Sequence, residues 1–262
     1  MSRIATAPCS EAEQRLIARA FRQGTPVTAP APDQADYSGQ YALSGPAKVR
    51  DARITPIRGD LADIALAGKL FAPHYVVPME RAVTAAFAPL RKTPHDDAEQ
   101  TSELLHGERF MVLDMAGAWA WGYCKHDCYN GYLALDLLGD SQGDAPLASP
   151  DDPVEAALAC VGTAYVWGAR GGSGIDCSGL VQTAYAHAGY ALPRDSDQQE
   201  ACGEAVDAPR RGDLVFFPGH VAIATAANEV VHASQDQGSV VIEPLAALVA
   251  RKGQPTQIRR LA

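Results

Sequence analysis

The sequence predicts an α+β protein in which a small all-β barrel precedes a domain of helices packed on a twisted antiparallel sheet. Three observations support this prediction. Short strand-like runs separated by turn residues fill the stretch 81–138, two helical patterns follow Pro153, and three short β-branched or aromatic runs come after them. Short strands in close succession are typical of small barrels, whereas helices combined with antiparallel strands indicate a mixed fold.

The 262-residue chain has the composition of a globular protein, since 47% of its residues are hydrophobic and 20% are charged. Its formal net charge of −9 opposes binding to phosphate backbones, so nucleic acid is not expected as a partner. No apolar run reaches the roughly 18 residues that a membrane-spanning helix needs. The first residues lack the apolar stretch of a secretory signal, so a cytoplasmic location is expected unless a leader was removed before this numbering starts. The number of subunits stays open.

Six cysteines in a chain of this length are too few for a disulfide scaffold, so reduced thiols are expected. Cys124 and Cys128, with His126 between them, could hold a metal ion. A structural zinc site needs four ligands, however, and no second pair lies at a matching spacing. We therefore expect neither a metal nor an organic cofactor.

Changes in composition divide the chain into five segments. Residues 1–36 are expected to form a helix and a Pro- and Ala-rich linker, and residues 37–80 an extended arm packed on a neighbouring domain. Residues 81–140 are expected to form the barrel. Gly, Ser, Asp and Pro crowd residues 141–152, which we interpret as a linker, so that the last domain covers residues 153–262.

The last domain begins with a helical pattern after Pro153, in which apolar residues recur at helical spacing. A glycine-rich loop, ARGGSGID, leads to a second helix with one apolar stripe, which Gly189 and Pro193 are expected to end. The runs LVFF, HVAIAT and EVVHAS then predict antiparallel strands joined by short turns.

Cys177 lies where the glycine-rich loop turns into the second helix. Its sulfur would face the first unpaired N–H groups and the positive end of the helix dipole, which favour the thiolate. Asp176, just before it, is expected to cap the helix. A cysteine at a helix start is nevertheless more often a small buried residue than a nucleophile, so position alone leaves both interpretations open.

Two histidines lie on neighbouring strands of a predicted hairpin. With a three-residue loop at 226–228, Thr225 pairs with Glu229, and His220 and His232 lie diagonally opposite on one face. Two adjacent imidazoles near a cysteine suit nucleophilic catalysis, in which one ring is the base and the other orients it. A shift of one residue in register would put the rings on opposite faces.

Six pieces of the last domain, in the same order, resemble the NlpC family of papain-like murein peptidases. They are Y-x-W-G, D-C-S-G-L, L-P-R-x-S-x-x-Q, G-D-L-V-F-F, G-H-V-A-I and V-H-A-S. The resemblance implies that Cys177 is the nucleophile, that His220 is the base and that His232 is the third polar residue.

The same resemblance implies further roles for residues around the nucleophile. Tyr165 would have its hydroxyl near the oxyanion, and Asp176 and Ser178 would line the substrate pocket. A tyrosine hydroxyl and a backbone N–H are sensible oxyanion donors. Alternatively, Tyr165 and Trp167 pack beneath the catalytic helix, and Ser178 is simply a residue of its first turn.

The stretch 81–140 resembles the bacterial SH3-like domain that precedes this peptidase in γ-D-glutamyl-L-diamino acid endopeptidases. The resemblance lies in AAFAPLRKTP, LLHGERFMVLDMAGAWAWG and YNGYLALDLL. In those enzymes the domain closes one end of the cleft, and a Glu and a Tyr hold the free amino group of the substrate. The matching positions are Glu108 and Tyr129, although surface exposure and strand packing also explain them. Only one copy is visible, and Tyr132 stands where relatives often have Trp.

The resemblance implies a cysteine endopeptidase that acts on murein-derived peptides with a free N-terminal L-alanine. It would hydrolyse the amide between γ-D-glutamate and a diamino acid, either diaminopimelate or lysine. With a cytoplasmic location, this favours recycling of released wall peptides. The alternatives are a related cysteine amidase or acyltransferase on another cell-wall amide, and a non-catalytic protein that binds wall peptides. The intact cysteine and histidines argue against the latter.

Overall fold

The computed structural model describes residues 50–140 and 152–261. The helix and linker predicted for residues 1–36 lie outside the described residues, as do the first part of the predicted arm and nearly all of the predicted linker at 141–152. No helix in the described part is both long and apolar enough to cross a membrane.

The arm, residues 50–76, contains more regular structure than the sequence predicts. Its strands are β1 (Leu61–Asp63) and β2 (His74–Val76), which pair in parallel as a separate two-stranded sheet. Several contacts attach the arm to the following domain, among them a 2.6 Å ion pair between Arg58 and Asp114. The Tyr123 hydroxyl donates a 2.7 Å hydrogen bond to Asp63, and the Asn130 side chain donates a 2.6 Å bond to the Thr55 carbonyl. The predicted packing of the arm on a neighbouring domain is thus formed by specific side-chain hydrogen bonds.

The second unit, which we call the β-domain (residues 79–139), is one seven-stranded antiparallel sheet in the order β5-β4-β8-β7-β6-β3-β9. Its strands are β3 (Met79–Val83), β4 (Phe87–Arg91), β5 (Gln100–Leu105), β6 (Arg109–Ala116), β7 (Trp119–Cys124), β8 (Asn130–Ala134) and β9 (Leu138–Gly139). Every second residue of β4 is buried, which is the period of a strand with one face on a core. Leu90, Leu104, Phe110 and Leu133 form that core.

The C-terminal domain, residues 153–261, has helices on both faces of a six-stranded antiparallel sheet. Its helices are α1 (Pro153–Ala159), α2 (Cys177–His187), α3 (Ser196–Gln199) and α4 (Leu245–Lys252). Its strands are β10 (Glu204–Ala205), β11 (Leu214–Phe217), β12 (His220–Ala226), β13 (Glu229–Ser234), β14 (Ser239–Pro244) and β15 (Gln257–Arg260), in the order β10-β15-β11-β12-β13-β14. The predicted α+β class is confirmed.

Apolar contacts position the second helix over the sheet. Leu180 and Tyr185 of α2 share one core with Phe216, Ile223 and Val231 of the central strands. On the opposite face, α4 buries its apolar side against the same strands. This packing holds α2 against β12, the strand that begins with His220.

The β12–β13 hairpin keeps the predicted register but uses a different turn. Ile223 pairs with Val231, whereas Ala226 pairs with Glu229, so that Thr225 is the extra residue of a β-bulge. The predicted three-residue loop is therefore wrong, and a two-residue turn takes its place. Because the bulge absorbs the extra residue, the strand bodies pair as expected, and the two histidines remain on one face.

The cysteines do not all behave as expected. Cys128 is disulfide-bonded, so the expectation of reduced thiols is wrong at this residue. Cysteine content indicates whether a fold depends on disulfides, but not whether one particular pair meets. The other cysteines in the described part of the chain are free thiols, namely Cys124, Cys160, Cys177 and Cys202. Among the residues with described positions, no three His, Cys, Asp or Glu side chains converge on a point where a metal ion could bind.

Candidate active site

Cys177 is the first residue of α2, as the sequence predicts. Asp176 caps the helix by accepting a 2.7 Å hydrogen bond from the Gly179 backbone N–H. The backbone N–H groups of Ser178 and Val221 are hydrogen-bonded to Cys177. Because Val221 follows His220 in the chain, this contact places the sulfur beside the histidines of the sheet.

The expected stabilisation of the Cys177 thiolate is not found. The residue is only 6% exposed, and burial raises the pKa of its thiol to about 11, with a smaller contribution from the Asp176 charge. The N–H groups of Val221 and Ser178 lower the pKa by less. A helix dipole contributes about 0.3–1 kcal/mol, which is less than the desolvation of a buried thiolate costs. The resting cysteine is therefore a thiol that needs a base.

The two imidazoles are adjacent, as the strand pattern predicts. His220 Nε2 lies 2.9 Å from His232 Nδ1, and the ring planes are close to perpendicular. His232 Nε2 lies 2.7 Å from Glu243 Oε1 on β14. Sequence reasoning missed Glu243. The available signal was an acidic residue at the end of the β-branched run VVIE, where an exposed position would be its ordinary explanation.

Both rings are neutral at physiological pH. Burial lowers the pKa of His220 to about 3, and the neighbouring His232 lowers it further. Burial also lowers the pKa of His232, although its hydrogen bond to the Glu243 carboxylate opposes this. Only a neutral imidazole can accept a proton, so His220 is in the form that a general base requires.

Alkylation measures the protonation state of Cys177. Because the thiol pKa is raised, the thiolate fraction should increase about tenfold per pH unit below pH 11. We expect the rate of iodoacetamide labelling, followed by intact-mass spectrometry and peptide mapping, to rise steeply between pH 6 and pH 9. Cys177→Ala should remove this adduct. A rate that is already high and constant between pH 5 and pH 8 would instead demonstrate a preformed thiolate–imidazolium pair.

A cleft above Cys177 is lined by residues from all three parts of the described chain. They include Arg53 of the arm, Glu99 and Tyr129 of the β-domain, and Trp167, Asp195 and Asp197 of the C-terminal domain. Trp167 is 58% exposed, so the packing interpretation is wrong for this residue. Sequence reasoning missed Arg53, Glu99 and the two aspartates, because residues 50–58 match no motif and acidic residues are common on surfaces.

Glu108 is not among the residues that line this cleft, and its predicted role in binding an amino group stays a prediction. It forms a 2.6 Å ion pair with Arg170 and accepts a hydrogen bond from the Leu105 backbone N–H. Burial would raise the pKa of Glu108, but the Arg170 guanidinium more than offsets this and lowers it. Glu108 is directed toward Arg170 because the buried guanidinium needs a counterion at the domain interface. Glu99 is the β-domain carboxylate that lines the cleft.

Tyr129 lies in the cleft, where the sequence predicts it. Its hydroxyl donates a 2.9 Å hydrogen bond to Asp195, which also forms a 2.7 Å ion pair with Arg53. Arg53 is bound to Asp197 as well, at 2.7 Å. The arm, the β-domain and the C-terminal domain therefore meet at this carboxylate. Asp195 occupies one of the variable positions of L-P-R-x-S-x-x-Q, which is why the motif did not single it out.

Asp176 and Ser178 line the cleft as expected, but a buried arginine occupies their polar groups. Arg194 donates to Asp176 Oδ2 at 2.6 Å and to the Ser178 hydroxyl at 2.9 Å. Asp176 Oδ2 also accepts from the Gly168 backbone N–H at 2.8 Å. Both residues thus stiffen the turn that carries Cys177, and the Asp176 charge is balanced within the protein.

Tyr165 packs on the core that contains Cys177 and is half-buried. Burial raises its pKa, and the nearby Cys177 and Asp176 charges raise it further. Its hydroxyl therefore keeps its proton and can donate a hydrogen bond. Placement at the oxyanion stays a prediction.

The β-domain also shapes the glycine-rich loop that leads to Cys177. The buried Glu103 carboxylate accepts hydrogen bonds from the backbone N–H groups of Arg170, Gly172 and Ser173, at 2.8–3.0 Å, and from the Ser173 hydroxyl. A carboxylate that satisfies successive backbone donors holds a loop in one conformation. The position of Cys177 therefore depends on both domains.

Together, fold and site define an α+β domain with a cysteine–histidine site at a helix N-terminus, whose cleft is completed by a preceding β-domain. Comparison with known families agrees with this description. Residues 162–254 match the NlpC/P60 family, and residues 90–138 match the bacterial dipeptidyl-peptidase SH3 domain. The chain thus carries an NlpC/P60 domain behind a bacterial SH3 domain, and the resemblance found in the sequence is confirmed.

Curated relatives match part of the chain. A gamma-D-glutamyl-L-lysine dipeptidyl-peptidase of Bacillus cereus is 36% identical over 115 residues, which cover 40% of this chain and 34% of that protein. Dipeptidyl-peptidase 6 of Lysinibacillus sphaericus is 38% identical over 98 residues, which cover 36% of each. The match thus spans about a third of these relatives. The crystal structure of an NlpC/P60 family protein from Bacillus cereus aligns with a TM-score of 0.41 at 27% identity, over 69% of this chain and 62% of that one.

Proposed function

We propose that this protein is a cysteine endopeptidase that hydrolyses the amide between γ-D-glutamate and a diamino acid in murein-derived peptides with a free N-terminal L-alanine. One observation carries the proposal: the thiol of Cys177 and the acidic group formed by Glu99, Asp195 and Asp197 line the same cleft. A nucleophile and a cation-binding surface are thereby available to one substrate. The peptidase names of the relatives support the same reaction class.

The charges around the cleft favour a substrate ammonium group. Arg53 is the one cation among the described residues that line the cleft, and it pairs with both Asp195 and Asp197. The cleft-lining Glu99 pairs with Lys92 at 3.1 Å. Burial raises the pKa of Asp195 although Tyr129 and Arg53 both lower it. The carboxylate is therefore incompletely compensated, and a substrate ammonium would supply the missing positive charge. A free N-terminus suits this position, whereas an acylated one would bring a neutral amide.

The proposed reaction uses the neutral cysteine and histidine of the resting protein. His220 Nδ1 accepts the Cys177 proton as the sulfur attacks the γ-carbonyl carbon, and the same proton then passes to the departing amine. Water, activated by His220, hydrolyses the resulting thioester and restores the thiol. The Tyr165 hydroxyl and the Cys177 backbone N–H are the proposed oxyanion donors. Cytoplasmic location and a role in recycling stay predictions.

Acylation of the substrate N-terminus tests the proposed specificity. Asp195 is the least exposed of the three carboxylates, and a bound substrate would bury its ion pair further. Removing one partner of a charge pair that is buried in the complex costs about 2–5 kcal/mol, so N-acetylation of L-Ala-γ-D-Glu-diaminopimelate should lower kcat/KM at least about 30-fold. Glu99→Gln and Asp195→Asn should lower kcat/KM for the free peptide while changing that for the acetylated peptide little. Liquid chromatography with mass spectrometry of the products provides the rates.

Asp140→Asn provides the control for these variants, since this exposed carboxylate lies outside the cleft. It should leave both rates unchanged. Equal cleavage of the free and the acetylated peptides would refute the free-amine specificity and favour an amidase with another cell-wall substrate.

A further inference from the structure

We propose that Glu243 is a positioning residue that sets the tautomers of both histidines through one continuous hydrogen-bond chain. The inference rests on the proposed function, because it assigns Glu243 a task in the same reaction. Three adjacent strands supply the chain: His220 on β12, His232 on β13 and Glu243 on β14. His232 pairs with Val241, so Glu243, two residues further along, lies diagonally on the same face.

The His232 ring has no freedom to change its partners. Its side chain is fully buried, and each ring nitrogen is committed to one partner, Nδ1 to His220 at 2.9 Å and Nε2 to Glu243 at 2.7 Å. The orientation of the protons in this chain is therefore decided at its ends. One end is a carboxylate, and the other is the His220 nitrogen that faces away from His232.

An ionised carboxylate can only accept hydrogen bonds, so His232 Nε2 must carry a proton. In the neutral ring, Nδ1 then has a lone pair and accepts a hydrogen bond from His220 Nε2–H. His220 Nδ1 is consequently unprotonated, and it is the nitrogen that remains to take the thiol proton of Cys177. With the other tautomer of both rings, His220 Nδ1 would carry a proton and could no longer accept one from Cys177.

Glu243 is held in the ionised, accepting form by Arg251 of α4, which forms an ion pair with it. The Arg251 guanidinium and the hydrogen bond from His232 lower the Glu243 pKa despite partial burial. The neighbouring Lys252 is paired with Asp236 at 3.4 Å. Arg251 also balances the Glu243 charge, which allows the ring pair to remain neutral until the reaction delivers a proton.

Glu243→Gln separates this role from simple packing, because the two side chains have the same shape. The glutamine oxygen can accept a hydrogen bond from His232 Nε2–H. Its NH₂ group can instead donate to an unprotonated His232 Nε2, so both tautomers of the ring become available. We expect kcat to fall about 10–100-fold, the range known for residues that orient metal-bound imidazoles, with little change in KM. Glu229→Gln is the control, since this exposed residue contacts Thr225 and should leave kcat unchanged.

Long-range ¹H–¹⁵N NMR of the full chain, labelled with ¹⁵N-histidine, reports the tautomers directly. Wild-type protein should have an unprotonated His220 Nδ1, and Glu243→Gln should show mixed or reversed tautomers. Wild-type tautomers together with an unchanged kcat in this variant would overturn the inference. If wild-type protein does not cleave the murein peptide, the proposed function fails, whereas the spectra still decide the role of Glu243.

Discussion

Replacing Cys177 by alanine is expected to lower kcat/KM for L-Ala-γ-D-Glu-diaminopimelate by about 10⁴-fold or more. Removing the nucleophile of a cysteine or serine hydrolase leaves only substrate binding and oxyanion stabilisation to act on bound water. In the described part of the chain, Cys177 is the one cysteine that lines the cleft. No other described thiol can therefore replace it without a rearrangement of the fold.

The matched control is Cys160→Ala, which removes a half-buried thiol at the C-terminal cap of α1. This variant should retain the wild-type rate, as measured by mass spectrometry of the two products. Calorimetry should show that Cys177→Ala still binds the peptide, because the acidic residues of the cleft are unchanged. Undiminished cleavage by Cys177→Ala would place the nucleophile elsewhere. A wild-type protein that binds the peptide without cleaving it would favour the non-catalytic alternative.

Replacing Arg194 by methionine is expected to reduce the free energy of unfolding by about 3–5 kcal/mol. Arg194 is almost completely buried and donates to both oxygens of Asp176, which is itself buried. Removing the arginine leaves an uncompensated carboxylate in a low-dielectric environment, and this is the costly way to break a buried ion pair. Urea unfolding followed by circular dichroism measures the change.

Arg211→Met is the control for this substitution. Arg211 pairs with Asp152 and Glu155 on the surface, where ion pairs contribute less than about 1 kcal/mol. The double variant Arg194→Met with Asp176→Asn removes both buried charges. Its loss in free energy of unfolding should therefore be smaller than the sum of the losses in the two single variants. Additive losses, or equal losses for Arg194→Met and Arg211→Met, would show that the Arg194–Asp176 pair does not stabilise the nucleophile turn.

The sequence determined those features of the site that depend on contacts within one or two neighbouring elements. Cys177 at the start of α2 and its Asp176 cap follow from a glycine-rich loop that precedes an apolar stripe. The pairing of His220 with His232 follows from strand periodicity, because a hairpin brings nearby residues together whatever surrounds it. A bulge at Thr225 compensated for the turn that was predicted incorrectly.

Only the tertiary structure decided which charges meet. It pairs Glu108 with Arg170 and places Glu99 in the cleft instead, and it brings Glu243 to the histidines from a third strand. It also buries Cys177, which reverses the expected effect of the helix dipole on its pKa. The physical reason is that ion pairing and desolvation depend on distance and burial, which residues far apart in the chain establish when they fold together.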